Sequence, residues 1–219
     1  MTRDIAANDQ LASEGGGRTA RKRKAILEAA TTVFLRNGYL GAGMDEIALL
    51  ADVSKQTIYK QFTSKEALFI EIVADLTNEA SDVVHGVIPE LAPGDDLHAY
   101  LEEYAYRQIS TVLTPRLMQL RRVVIGEAGR FPELGKALYE SGPRRAMAAM
   151  ATTFRRLAER GLLRVDDAAV AASHFNWLVM SQPLNQAMLL GDAGIPEPAS
   201  LRRYAADAVR VFLAAYGTR

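Results

Sequence analysis

Residues 44–62 hold two apolar-patterned runs that read as short helices, with only Asp52-Val53-Ser54 between them. Two helices joined by three residues must cross steeply, and few residues suit each place in such a corner. Ala48 is small where the second helix presses on the first, Val53 can plug the angle, and Ser54 can cap the helix that follows. The first turn position often needs a positive φ. Asp52 stands there, and Asp tolerates that region better than most residues other than Gly. Ile58 and Phe62 then turn inward, and the pattern is that of a helix-turn-helix.

The residues left outside have a common chemistry. They are Lys55, Gln56, Thr57, Tyr59, Lys60 and Gln61. Gln can bond an adenine edge, Thr can meet a base edge or a thymine methyl, and Lys can reach guanine or phosphate. Tyr59 and Lys60 suit phosphate clamping, which positions a helix without reading sequence. Lys65, at the start of the next helix, can meet the nucleic-acid backbone, as can the cluster Arg18, Arg21, Lys22, Arg23 and Lys24 ahead of the first helix. Residues 18–65 carry nine Lys/Arg against four Asp/Glu, whereas residues 66–219 carry sixteen against nineteen, within a chain that is formally neutral. A basic front end on a mildly acidic body fits a nucleic-acid-binding module joined to another domain.

The rest of the chain reads as helix. "RKAILEAATTVFLRNG" puts Ile26, Ala30, Val33 and Phe34 on one face and stops at Asn37-Gly38. "GMDEIALLA" is a short helix with Gly43 as cap and Glu46 able to reach back toward it, and Thr63 with Glu66 forms a capping box for a fourth helix. "VIPELAPGDD" breaks the chain, and helices are expected near 95–113, 116–128, after Pro132, 143–160, 166–190 and 198–215. "TP", "GRFP", "SGP", "RGLLRVDD" and "GDAGIPEP" supply the breaks. The fold class predicted is all-α: a flexible tail (1–17), a three-helix helix-turn-helix domain (18–65), and a larger helical regulatory domain for ligand binding and dimerisation (66–219).

Several function classes fall away. The chain has no cysteine, so disulfides and thiolate metal sites are excluded. His85, His98 and His174 are scattered, with no second histidine at i+3 or i+4 to make a metal face, and neither a Gly-x-Ser-x-Gly elbow nor a phosphate loop occurs. No metal, cofactor or catalytic residue is expected, and the protein reads as a non-enzyme. Gly15-x-Gly17-x-x-Ala20 follows no strand and carries no weight as a dinucleotide site. The longest uncharged stretch, Ala168 to Gly191, includes His174, Asn176, Gln182, Pro183, Asn185 and Gln186, so it suits a helix buried by protein better than a membrane span. A cytoplasmic location is expected. A helical ligand-binding enzyme and a helix-turn-helix acting through protein contacts alone stay open as alternatives.

"GYLGAGMDEIALLADVSKQTIYKQFTSKEALF" resembles the DNA-binding domain of TetR-type bacterial transcription regulators. The match lies in Gly38-Tyr39, Met44 to Ala48, Val53-Ser54-Lys55, Ile58-Tyr59-x-x-Phe62 and Ser64-Lys65-Glu66-Ala67-Leu68. Two positions depart from the family's pattern: Ala42-Gly43 stands where Thr and Ser are common, and Asp52 where Gly is common. "LRRVVIGEAGRFPELGKALYESGPRRAMAAMATTFRRLAERGLLRVDD" is similar to the C-terminal domain of AefR-like members. The resemblance implies a homodimer on double-stranded operator DNA, with DNA contacts from Arg21, Lys22, Arg23, Lys55, Gln56, Thr57, Tyr59, Lys60 and Lys65. It also implies a cavity for a small-molecule effector of apolar or aromatic character. Inward, long or mixed-polarity side chains make Tyr104, Gln108, Arg121, Met147, Met150, Phe154, Asn176, Trp177 and Met180 the expected lining. Phe175, Leu178, Leu201, Tyr204, Ala208 and Phe212 are the expected dimer contacts.

Overall fold

The computed structural model describes the backbone of residues 3–86 and 91–218, and the side chains of residues 19–86 and 91–218. Its elements are helical throughout, and the one isolated β-bridge among the described residues joins Leu163 to Gly217. The chain divides into two compact units, Met1–Ile72 and Val73–Arg219.

The first unit begins with α1 (Arg3–Gly41), whose regular path is interrupted at Gly38, φ +72°. That is the left-handed geometry for which a glycine after Asn37 is suited. Residues 1–17, expected to be a flexible tail, include the helical path drawn from Arg3, and their side chains lie outside the described residues, as does that of Arg18. Next come α2 (Met44–Leu50), α3 (Lys55–Gln61) and the opening turns of α4 (Lys65–His85). Ile26, Val33 and Phe34 of α1, Ile47 of α2, Ile58 of α3, and Leu68 and Phe69 of α4 are fully buried. Phe34 and Phe69 meet with ring centroids 4.6 Å apart, and Tyr39 packs on Phe69 at 5.3 Å. Burying each large apolar side chain contributes roughly 1.5–3 kcal/mol, which helices of seven residues need because they are too short to persist alone.

Two of the expected caps differ. Gly43 caps α2 by its backbone only, and Glu46 turns instead to Arg36 and to Asn37 Nδ2 (2.8 Å). At α4 the cap is Ser64, whose Oγ accepts from Ala67 N at 3.0 Å, one residue beyond the expected Thr63. Ser is as good a cap as Thr, and the helix that puts Leu68 inward starts at Lys65.

The second unit holds the remainder of α4, then α5 (Leu97–Val112), α6 (Pro115–Glu127), α7 (Pro132–Tyr139), α8 (Arg145–Glu159), α9 (Ala168–Leu190) and α10 (Pro198–Tyr216). Asp96, Thr114 and Asp167 cap α5, α6 and α9 with their side chains. These bounds fall within about two residues of the expected ones, because Pro, Gly and capping residues mark them in the sequence. The break expected at "SGP" is different: Glu140–Arg144 forms a π-helical turn that carries α7 into α8, with Pro143 inside it. A widened turn leaves room for the proline ring that a regular α-turn lacks. α5, α8, α9 and α10 pack together around Phe154, Phe175 and Phe212, whose centroids lie 4.9–5.4 Å apart. No described helix is long and apolar enough to cross a membrane.

Candidate functional site

The corner between α2 and α3 is built as the residue types demand. Asp52 takes φ +51°, the one positive φ outside glycine among the described residues. Val53 N donates to Ala48 O at 3.0 Å, closing the turn over the end of α2. Ser54 caps α3, its Oγ accepting from Thr57 N at 3.1 Å and lying 2.8 Å from Thr57 Oγ1. Ile58 and Phe62 are buried behind the helix.

That anchoring divides the nine expected DNA contacts. Gln56, Tyr59 and Lys60 are exposed on the outer face of α3, and neither Gln56 nor Lys60 is tied to another side chain among the described residues. Lys55 is exposed but paired, its Nζ 3.0 Å from Asp45 Oδ2, and that hydrogen bond raises its pKa above the usual lysine range. Thr57 is half-buried and turned to Ser54. Lys65 Nζ donates to Leu40 O at 3.2 Å and lies 5.0 Å from the Tyr39 ring centroid, so it closes the end of α1. Arg23 stacks on Phe62 at 4.5 Å and pairs with Glu71, which makes it a brace within the unit. Arg21 and Lys22 are exposed along α1. Sequence position alone could not separate braces from exposed cations, since both are basic residues beside an aromatic pattern.

The second unit contains a cavity of about 80 Å³, where one water needs roughly 10–15 Å³ by the same measure. Five of the nine expected residues line it: Gln108, Arg121, Asn176, Trp177 and Met180. Apolar walls come from Val84, Val112, Leu117, Leu120, Leu138 and Leu184, and the π-helical turn adds Gly142 and Pro143. Gln108 is 2% exposed; its Nε2 donates to Asn176 Oδ1 at 2.9 Å, while its buried Oε1 has no partner among the described residues. Burial lowers the proton affinity of the Arg121 guanidinium. His85, which sequence reasoning set aside as a lone histidine, also lines the cavity. Its Nδ1 lies 3.0 Å from Tyr104 Oη, and its buried Nε2 is unpartnered among the described residues.

The other expected lining residues lie elsewhere. Tyr104 borders a second cavity with Tyr100, Arg156 and Arg160. Met150 and Phe154 are buried in the helical core, and Met147 is half-buried away from the cavity. Helical spacing identifies inward faces, but which inward residues border a void depends on how the helices meet.

The expected dimer contacts differ in how far their own chain covers them. Phe175 and Phe212 are fully buried, and Leu201 and Ala208 nearly so, within their own chain, where they complete the core of α5, α9 and α10. Leu178 and Tyr204 are partly covered. α9 and α10 instead leave Val170, Trp177 and Val211 exposed.

Residues 99–218 match the family model described as AefR-like transcriptional repressor, C-terminal domain, and residues 26–72 match that of bacterial regulatory proteins, tetR family. A solved TetR-family transcriptional regulator from Mesorhizobium loti MAFF303099 is 40% identical, with TM-score 0.86 over 92% of this chain and 99% of that one. The flavonoid-responsive regulator FrrA is 29% identical, with TM-score 0.76 over 91% and 99%. Among curated relatives, the regulator YhgD of Bacillus subtilis is 50% identical over 58 residues, 26% of this chain and 30% of YhgD. The activator FasR of Mycolicibacterium smegmatis is 42% identical over 66 residues, 30% of this chain and 29% of FasR, so these matches span under a third of either relative. The protein therefore belongs to the TetR family of helix-turn-helix transcription regulators, with an AefR-like C-terminal domain.

Proposed function

We propose that the protein is a cytoplasmic homodimeric repressor that holds a palindromic operator through α3 and releases it when a small molecule fills the cavity of the second unit. The observation that carries this reading is the outer face of α3, where Gln56, Tyr59 and Lys60 stand exposed over the buried pair Ile58 and Phe62. Gln56 supplies a base-reading amide, Lys60 and Tyr59 hold phosphates, and a two-fold dimer sets two such helices about 34–36 Å apart for successive major grooves.

Repression is favoured over activation by the C-terminal match, which is to a repressor domain, although the relative FasR is named an activator. Release requires that the ligand bind the DNA-incompetent state more tightly than the competent one. FrrA's flavonoid response supports an apolar or aromatic effector, as does the largely aliphatic wall of the cavity.

The test is selection of bound duplexes from a random pool, followed by mobility shifts of the enriched sequence. A palindromic consensus is expected, with affinity falling steeply as salt rises because phosphate contacts release counterions. Enrichment of no sequence would refute the proposal.

A further inference from the structure

Arg121 and Arg122 are neighbours on α6 with opposite circumstances. Arg122 is fully engaged: Nη2 lies 2.6 Å from Asp192 Oδ1, and Nη1 donates to Ala187 O at 3.1 Å. Arg121 borders the cavity and makes no hydrogen bond or ion pair among the described residues. Among the described residues no Asp or Glu lines the cavity, so its described wall carries one guanidinium and no carboxylate. A cation beside an apolar space, without a counter-charge, is held at a cost that a bound anion removes.

The amides across the cavity point the same way. Gln108 and Asn176 share a single bond, which leaves Gln108 Oε1 buried and unpartnered among the described residues. Whichever way the two amides are turned, one mutual bond leaves an amide oxygen and amide hydrogens unsatisfied. A carboxylate, whose two oxygens can accept from both a guanidinium and a free amide N–H, answers part of that need, whereas a hydrocarbon does not.

We propose that the cavity takes a small monocarboxylate with an apolar body, its carboxylate paired to Arg121 and its body against the aliphatic wall. This names the ligand class for the cavity and rests on the regulator reading only for what ligand binding does to DNA. A guanidinium matches a carboxylate through two parallel N–H···O bonds, so geometry as well as charge favours the acid over its ester.

Trp177, the chain's single tryptophan, also lines the cavity and reports on it directly. Full-length protein without DNA is titrated with 3-phenylpropanoate and 3-cyclohexylpropanoate, with their methyl esters, and with 4-propylphenol. Trp177 emission and calorimetry are the readouts. Saturable binding of at least one acid is expected, with ester and phenol weaker by roughly 10- to 100-fold. Arg121→Gln should erase that preference by weakening the acid alone, and Arg121→Lys should keep part of it. Apo Arg121→Gln should melt no lower than wild type, since an unpaired charge has been removed, whereas a structural arginine would lower the melting temperature.

Equal affinity for acid and ester, unchanged acid affinity in Arg121→Gln, or no binding by either acid overturns the proposal. Operator release by neutral compounds alone would overturn it too, while leaving the regulator reading standing. Carboxylate binding that leaves operator affinity unchanged would instead sink release by this ligand and leave the site in place.

Discussion

Lys55 Nζ lies 3.0 Å from Asp45 Oδ2, tying the first residue of α3 to the first turn of α2. Both side chains are exposed, so the pair adds little to stability; if α3 lies on DNA as proposed, it sets how Lys55 is offered. A lysine already facing a carboxylate must exchange that partner for a phosphate, and Asp45 itself repels the duplex. Asp45→Ala should therefore tighten binding to duplexes of any sequence. Lys55→Ala should cost more in the Asp45→Ala background than in wild type, and should lower the salt slope there by about 0.9. A cycle of mobility shifts at several salt concentrations measures both, and zero coupling would show that Lys55 does not reach phosphate.

Asp52 at φ +51° makes a second, independent expectation. Only residues that accept the left-handed region fit there, and β-branched side chains are the worst placed. Asp52→Val should destabilise the first unit by about 1–2 kcal/mol, while Asp52→Asn and Asp52→Gly should stay within about 0.5 kcal/mol of wild type. Denaturant unfolding checks the order, and an Asp52→Val variant as stable as Asp52→Gly would remove the strain argument.

Asp52 also marks how far the sequence could be read. Its positive φ, the Ser54 cap and the inward pair Ile58 and Phe62 follow from local rules that act within a few residues, and all are found in place. Helix limits in the second unit were legible for the same reason. What failed depended on long-range packing. Glu46 was free to cap α2 until Arg36 and Asn37 came beside it. Met150 and Phe154 share an inward stripe with residues that border the cavity, yet they fill the core. Helical spacing turns Arg121 inward, but the partners that engage Arg122, Asp192 and Ala187 O, are 65 or more residues away and leave no local sign in the sequence.

Val211 and Phe212 are adjacent on α10 and should respond oppositely. Val211 is 44% exposed, whereas Phe212 is fully buried between Phe154 and Phe175. If α9 and α10 form the proposed subunit contact, Val211→Asp puts a charge on an apolar surface and should yield a folded monomer with weaker operator binding. Phe212→Ala should instead destabilise the fold by about 3–5 kcal/mol through lost burial and a cavity. Sedimentation and thermal melts distinguish the two, and a Val211→Asp protein that remains dimeric would exclude Val211 from the contact.

His85 gives the stability of the second unit a pH dependence whose sign is fixed by its surroundings. Burial lowers its pKa from the ordinary 6.5, Arg145 lowers it further, and Asp82 opposes them. The folded protein therefore takes up this proton less readily than the unfolded chain. Above about pH 6.5 both states hold a neutral imidazole and nothing is lost; as pH falls below that value the unfolded chain protonates first and stability declines. Carboxylates titrating lower down act in the same range, so the comparison must be with His85→Gln, which keeps a polar group near Tyr104 Oη and removes the titration. Unfolding free energies at about pH 7 and about pH 5 should differ less in His85→Gln than in wild type. An equal or larger loss in the variant would mean that His85 is protonated as easily in the folded protein as outside it.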